Sequence, residues 1–282
     1  MWPAALLWSV DLLSLVALVL TAGAYARGWA GLRRRMPARF GWPRLLAFMI
    51  GLDVVLVAAA PPVEALAAGS LAVHMTQHLL LMMVAPPLIW LGAPVAPVLR
   101  GLPGPARRVV IAAWAWAPVR RVGRALTHPA IGWMSFAAVT WAWHVPALYE
   151  LALSSPAWHH LQHACFVGGG LLFWWPVVQP WPSRPRWPRW AMIPYLLLAE
   201  VQNTLLAAIF ALSGRVLYPA YAARLGAFAL GDQTVAGLIM WGPGSLLFLI
   251  PLGGLIFQLL MPSRLARPRP GRRLARDGGP AL

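Results

Sequence analysis

Residues 71–91 read LAVHMTQHLLLMMVAPPLIWL, an uninterrupted stretch without aspartate, glutamate, lysine or arginine that carries two histidines four residues apart. A helix needs about 20 mostly apolar residues to cross roughly 30 Å of hydrocarbon, so this segment predicts a membrane span. The same criterion, applied outward in both directions, predicts six more, at about 3–25, 44–60, 129–148, 157–178, 190–212 and 232–260. The chain is therefore expected to be all-α, a polytopic bundle of seven transmembrane helices occupying residues 1–261, followed by a basic, disordered cytoplasmic tail at 262–282. The last predicted span is long enough to tilt, or to kink at Gly242-Pro243 or Pro251.

Composition supports lipid as the solvent. Of the 282 residues 60% are hydrophobic and only 11% charged, against about a quarter charged in soluble domains, and mean hydropathy is +0.66. All 23 basic residues are arginine. They lie in short runs flanking apolar segments, which excludes the continuous basic stripe of a nucleic-acid-binding protein. Six fall between the first and second spans, six between the third and fourth, three between the fifth and sixth and six in the tail, whereas the opposite side has only Arg215 and Arg224. The positive-inside rule then sets the N-terminus outside and the C-terminus in the cytoplasm. The apolar residues 109–116 are too few to span and predict an interfacial helix near 107–126, with Trp114 and Trp116 at headgroup level. Cys165 is the single cysteine, so no internal disulfide forms and no two-cysteine motif exists. It is read as a core residue.

Polar groups inside a membrane helix are costly and concentrate at functional positions. In the predicted topology His74 and His78 enter from the outside, His144 sits one turn from the outer surface, and His159, His160 and His163 occupy the first two turns of the fifth span. Six of the seven histidines thus share one depth, and His128 stands apart. His74 with His78, and His159 with His163, are spaced to project from one helix face and hold a single ion. Met82 continues the first stripe one turn deeper, and a thioether beside imidazole suits copper, Cu(I) especially. Met75, Met83 and Met240 read as apolar filling. Zinc proteolysis is poorly supported, because His74-Met-Thr-Gln-His78 lacks the glutamate that serves the zincin helix as its base. Asp11, Asp53, Glu200 and Asn203 fall within spans as accessory or orienting groups, interhelical contacts or parts of an ion path. Asp232 reads equally as an N-cap or a ligand.

Several blocks carry a family resemblance: His74-Met-Thr-Gln-His78 with Ala85-Pro86-Pro87, Trp143-His144-Val-Pro146, His159-His160-Leu-Gln-His163, Trp174-Trp175-Pro176, Glu200-Val-Gln202-Asn203, and Asp232-Gln233 before Gly237-Leu-Ile-Met-Trp241. Together they resemble the polytopic CtaG family of cytochrome c oxidase assembly factors. The resemblance implies a multi-pass protein of the bacterial plasma membrane that helps mature a haem-copper oxidase, with oxidase subunits as partners and copper as the metal handled. On this reading the chain is not an enzyme, and some of His74, His78, His144, His159, His160 and His163 bind copper. Two other readings remain open at this point: a membrane haem protein or haem-modifying oxidoreductase using paired histidines, and a metal permease with Asp11, Asp53 and Glu200 along its path.

Overall fold

Proline sets the helix boundaries in this chain. The structure, a computed structural model, describes residues 12–183 and 186–261; Asp11 and the predicted tail lie outside the described residues. The described chain forms α1 (Leu12–Arg35), α2 (Trp42–Ala58), α3 (Pro61–Gly69), α4 (Leu71–Leu79), α5 (Ala85–Leu91), α6 (Val95–Gly101), α7 (Gly104–Ala115), α8 (Ala117–Leu126), α9 (Pro129–His144), α10 (Pro146–Ser154), α11 (Pro156–Val178), α12 (Met192–Leu212), α13 (Pro219–Leu225) and α14 (Ala229–Leu260), with no strand among the described residues. Proline stands in the first turn of most of these helices, where its missing N–H costs nothing because that group has no intrahelical acceptor anyway.

Five helical segments are long and apolar enough to cross a membrane: Ser14–Arg35, Leu71–Leu91, Pro156–Val178, Arg189–Leu212 and Pro219–Leu260. A sixth candidate is the pair α2 and α3, bent by 52° at Ala59-Ala60. The expected helix at 129–148 is shorter. It ends at His144 because Val145 precedes Pro146 and is extended, with φ −65° and ψ 127°, and Pro146 then opens the separate helix α10. Near 107–126 the structure has two helices, α7 and α8, broken at the extended Trp116, and neither buries a residue. The helix α14 runs unbroken through Pro243 and Pro251.

The span at 71–91 is irregular. Pro86 and Pro87 cannot donate to carbonyls one turn earlier, and residues Leu80–Val84 widen into a π-helical turn between α4 and α5. Gly170 on α11 allows the closest approach to this turn, since a Cβ there would lie 2.5 Å from the Met82 carbonyl oxygen. The main helix pairs are α12 with α14, α1 with α6, α9 with α11, α2 with α5 and α4 with α14. Phe136, Phe166, Phe173, Tyr195 and Phe248 fill the centre. A second core of Leu71, Met75, Tyr149, Phe210, Tyr218 and Tyr221 closes the end of the bundle where α4 begins and α9 ends.

Lipid supplies no hydrophobic drive between helices, so close backbone contact does the work. A Cβ on Gly101 would stand 1.7 Å from the Ala24 carbonyl oxygen, whereas one on Gly104 meets nothing within 4 Å. Gly101→Ala is expected to part α1 from α6 and cost at least about 2 kcal/mol, read as a lowered Tm of the detergent-solubilised protein. Gly104→Ala is the control and leaves Tm unchanged.

Candidate metal centre

The histidines meet because short helices and capped turns fix where each span begins and ends. Ser70 caps α4 by accepting from the Val73 N–H at 3.3 Å. Asp232 completes that cap from α14: one carboxylate oxygen accepts from the Leu71 N–H at 2.6 Å and the other from the Ser70 hydroxyl at 2.6 Å. Asp232 therefore secures the start of the helix bearing His74 and His78. At the end of α9, the Tyr218 hydroxyl donates to the His144 carbonyl at 2.9 Å, and Tyr218 stacks on Tyr149 with ring centroids 4.0 Å apart. Burial pushes the Tyr149 phenol well above its ordinary pKa, so it stays neutral.

Five of the six candidate histidines form a continuous array. Ring centroids are 4.2 Å apart for His159 and His163, 5.4 Å for His74 and His159, 4.4 Å for His74 and His78, 6.0 Å for His78 and His163, and 6.1 Å for His78 and His144. One nitrogen from each of His74, His78 and His163 can be chosen so that all lie within 4.8 Å of one another, and the same holds for one ligand atom from each of Glu64, His159 and His163. His160 is exposed and stands outside both groups.

Hydrogen-bond accounting assigns the open atoms. The Tyr221 hydroxyl donates its one proton to the Ala67 carbonyl at 2.8 Å, so the 3.0 Å contact with His74 Nδ1 is a bond donated by the imidazole. That tautomer leaves the lone pair of His74 on Nε2, which is buried without a partner. His144 is held similarly, its Nδ1–H donating to the Thr140 carbonyl at 2.6 Å. Glu64 lies beside the other two, with Oε2 2.8 Å from His159 Nε2 and Oε1 3.5 Å from His163 Nδ1, while Oε1 accepts from Gln77 Nε2 at 3.0 Å. His163 Nε2 and both nitrogens of His78 are buried without partners. Leaving one such group unmet costs about 1–3 kcal/mol, and four converge here. His74 and His144, each with Nδ1–H held by an oxygen acceptor and a lone pair on Nε2, together with the open nitrogens of His78 and His163 form a donor set that suits a transition-metal ion.

The remaining predicted groups are placed elsewhere. Met82 is buried, its sulfur 3.7 Å from the Thr140 hydroxyl. Asn203 donates to the Met240 carbonyl at 3.0 Å. Glu200 accepts from Thr204 at 2.9 Å and Ser245 at 2.6 Å, an interhelical contact rather than a group beside the histidines. Asp53 is exposed on α2. The sequence reading missed Glu64 and Tyr221. For Glu64 a signal existed, an acid just behind Pro61-Pro62 in the short connection that precedes the histidine span; for Tyr221 none did. It also took Met75 for filling, yet the Met75 sulfur lies 3.3 Å from His144 Nε2.

A family model described as cytochrome c oxidase caa3 assembly factor (Caa3_CtaG) matches residues 23–261. Uncharacterized proteins of Mycobacterium bovis and Mycobacterium tuberculosis are each 27% identical over 282 residues, covering 96% of this chain and 42% of the relative. One of Mycobacterium leprae is 26% identical, covering 89% of this chain and 39% of the relative. The chain thus spans about two fifths of the length of these curated relatives. No solved structure matches.

If Tyr221 sets the His74 tautomer, Tyr221→Phe should weaken Zn(II) binding by roughly 10- to 100-fold, measured by competition with a chromophoric chelator. Tyr149→Phe, whose hydroxyl is a longer 3.5 Å from Tyr221, should change it little.

Proposed function

Because the chain belongs to the family of cytochrome c oxidase caa3 assembly factors, we propose that it receives copper at the histidine end of the bundle and passes it to an apo-oxidase subunit without catalysing a reaction. The observation that carries this reading is the set of buried, partnerless nitrogens on His74, His78 and His163, within reach of one ion. These three hold the cargo. Glu64 and His159, whose side chains are 27% and 15% exposed, form the mouth through which it comes and goes. Exchange of one imidazole at a time moves the ion, since neighbouring rings along the array are about one ligand-exchange distance apart.

The topology belongs to the same proposal. Seven spans, the sixth and seventh added by the bent α2–α3 pair and by α9, place the N-terminus outside and the arginine-rich connections in the cytoplasm of a bacterial plasma membrane. The metal end then faces outward. The pair α7 and α8, with Val109, Ile111, Trp114 and Trp116 exposed, lies along the cytoplasmic surface of the bilayer.

Two features weigh against the other readings. The cavity beside His78 and His144 is about 40 Å³, room for a water or an ion, and a second one of about 230 Å³ beside His144 is lined by no other histidine, so neither offers a porphyrin both room and a pair of axial histidines. Among the described residues Asp53 and Glu200 do not form a continuous path, because Asp53 is exposed and Glu200 is bound to Thr204 and Ser245.

In cells whose own copy is deleted, the protein with His78→Ala and His163→Ala together should leave oxidase polypeptide levels intact while oxidase copper and activity fall. The purified double variant should retain less copper than the wild type. Full copper retention together with full oxidase activity would defeat the assignment.

A further inference from the structure

Met75 Sδ and His144 Nε2 are 3.3 Å apart, both buried, in a contact that the protein alone does not satisfy. With Nδ1–H given to the Thr140 carbonyl, Nε2 presents a lone pair to a thioether that also has only lone pairs. The other tautomer would put N–H against sulfur but set a bare Nδ1 2.6 Å from a carbonyl oxygen, which is worse. An imidazolium would donate to both, yet it would be a buried charge with no carboxylate among its hydrogen-bond or ion-pair partners. A cation between nitrogen and sulfur relieves the conflict.

The surroundings select which cation. Met75, Met82, Met83 and Met240 all line the cavity of about 40 Å³ into which His78 and His144 also project, and no carboxylate lines it. Hard divalent ions want oxygen ligands, whereas thioether and imidazole suit monovalent copper. At metal–nitrogen and metal–sulfur lengths of about 2.0 and 2.3 Å, a 3.3 Å separation subtends an angle of about 100° at the metal, as two neighbouring ligands of a tetrahedral ion do. The Met82 sulfur accepts only a long bond from Thr140, at 3.7 Å, and can join as a third ligand.

We propose that Met75 and His144, with Met82, form a second metal site that takes a soft monovalent cation, Cu(I) or its analogue Ag(I), deeper in the bundle than the Glu64 mouth. His78 links the two, its ring lying between those of His74 and His144. The inference rests on the copper reading only for how the ion arrives; the site itself stands on the Met75–His144 contact. No change of oxidation state is involved.

The test uses the purified full-length protein in detergent, titrated without oxygen with Ag(I) and Cu(I), and with Zn(II) as the probe of the Glu64 and His163 group. X-ray absorption of the Cu(I)-loaded wild type should show sulfur neighbours. Met75→Leu, close in shape, should remove them and lower Ag(I) affinity at one site at least about tenfold, while Zn(II) binding stays unchanged. Glu64→Gln and His163→Ala should do the reverse. Selenomethionine-labelled protein, which leaves the fold untouched, should show metal–selenium scattering. Absence of sulfur or selenium neighbours in the wild type, or their full persistence in Met75→Leu with His144→Leu, would overturn the site. Sulfur-bound metal that survives His163→Ala with no change in Zn(II) binding would instead leave this site standing and defeat the histidine-cluster reading.

Discussion

A neutral imidazole carries one N–H and one lone pair, and in an apolar interior each needs a partner. The end of this bundle is organised around meeting half of that need. Tyr221 takes the His74 N–H, the Thr140 carbonyl takes that of His144, and Glu64 lies against His159 and His163. On the other side the rings turn lone pairs toward one another and toward a methionine sulfur. A core built only for stability would have paired these atoms or replaced them with apolar side chains. The unmet half, gathered on neighbouring rings, is what supports the functional reading proposed for this end of the bundle.

Much of the fold serves to hold those first partners still. Ring orientation follows from where α4, α9 and α11 start and stop: a bond from another element fixes the start of α4, Pro146 with such a bond the end of α9, and Pro156 the start of α11. Asp232 reaches from α14 to the first turn of α4, and Tyr218 from the edge of α13 to the last carbonyl of α9. The Glu150 carboxylate accepts from the Ala220 N–H at 3.1 Å, fixing α13 and with it Tyr221. Tyr221 thereby couples the position of α13 to the tautomer of His74. Below the histidines, Met82 lies within the π-turn at Leu80–Val84 and lines the same cavity as His78.

The pattern legible in the sequence was the one that depends on local periodicity. Apolar runs of about 20 residues announced the helices, and the four-residue spacing of His74 with His78 and of His159 with His163 announced shared faces. The same spacing argues against His160, which is turned about 100° from His159 on the helix and is exposed. What stayed hidden depends on contacts between distant parts of the chain. Tyr221 lies 147 residues from His74, and Met75 lies 69 residues from His144. Met75, next to His74 in sequence, looked like filling because methionine usually is. Asp232 was read as a cap for its own helix or a ligand, and it caps α4 instead. The break at Val145-Pro146 was legible in the proline, but the apolar residues beyond it masked the end of the helix.

Charge decides how such an array can release what it binds. On the proposed copper reading, a monovalent ion held by imidazoles beside the Glu64 carboxylate makes a neutral assembly, which lowers the cost of burying its charge. A divalent ion at the same position leaves one uncompensated charge. Moved on toward Met75 and His144, the monovalent ion leaves its counter-charge behind and rests on thioether and imidazole alone, so each step inward trades electrostatic balance for softer ligands. In the proposed role, a carboxylate at the exposed end and a thioether at the buried end give the array two chemically different positions, so the charge and softness of the ion decide where it rests.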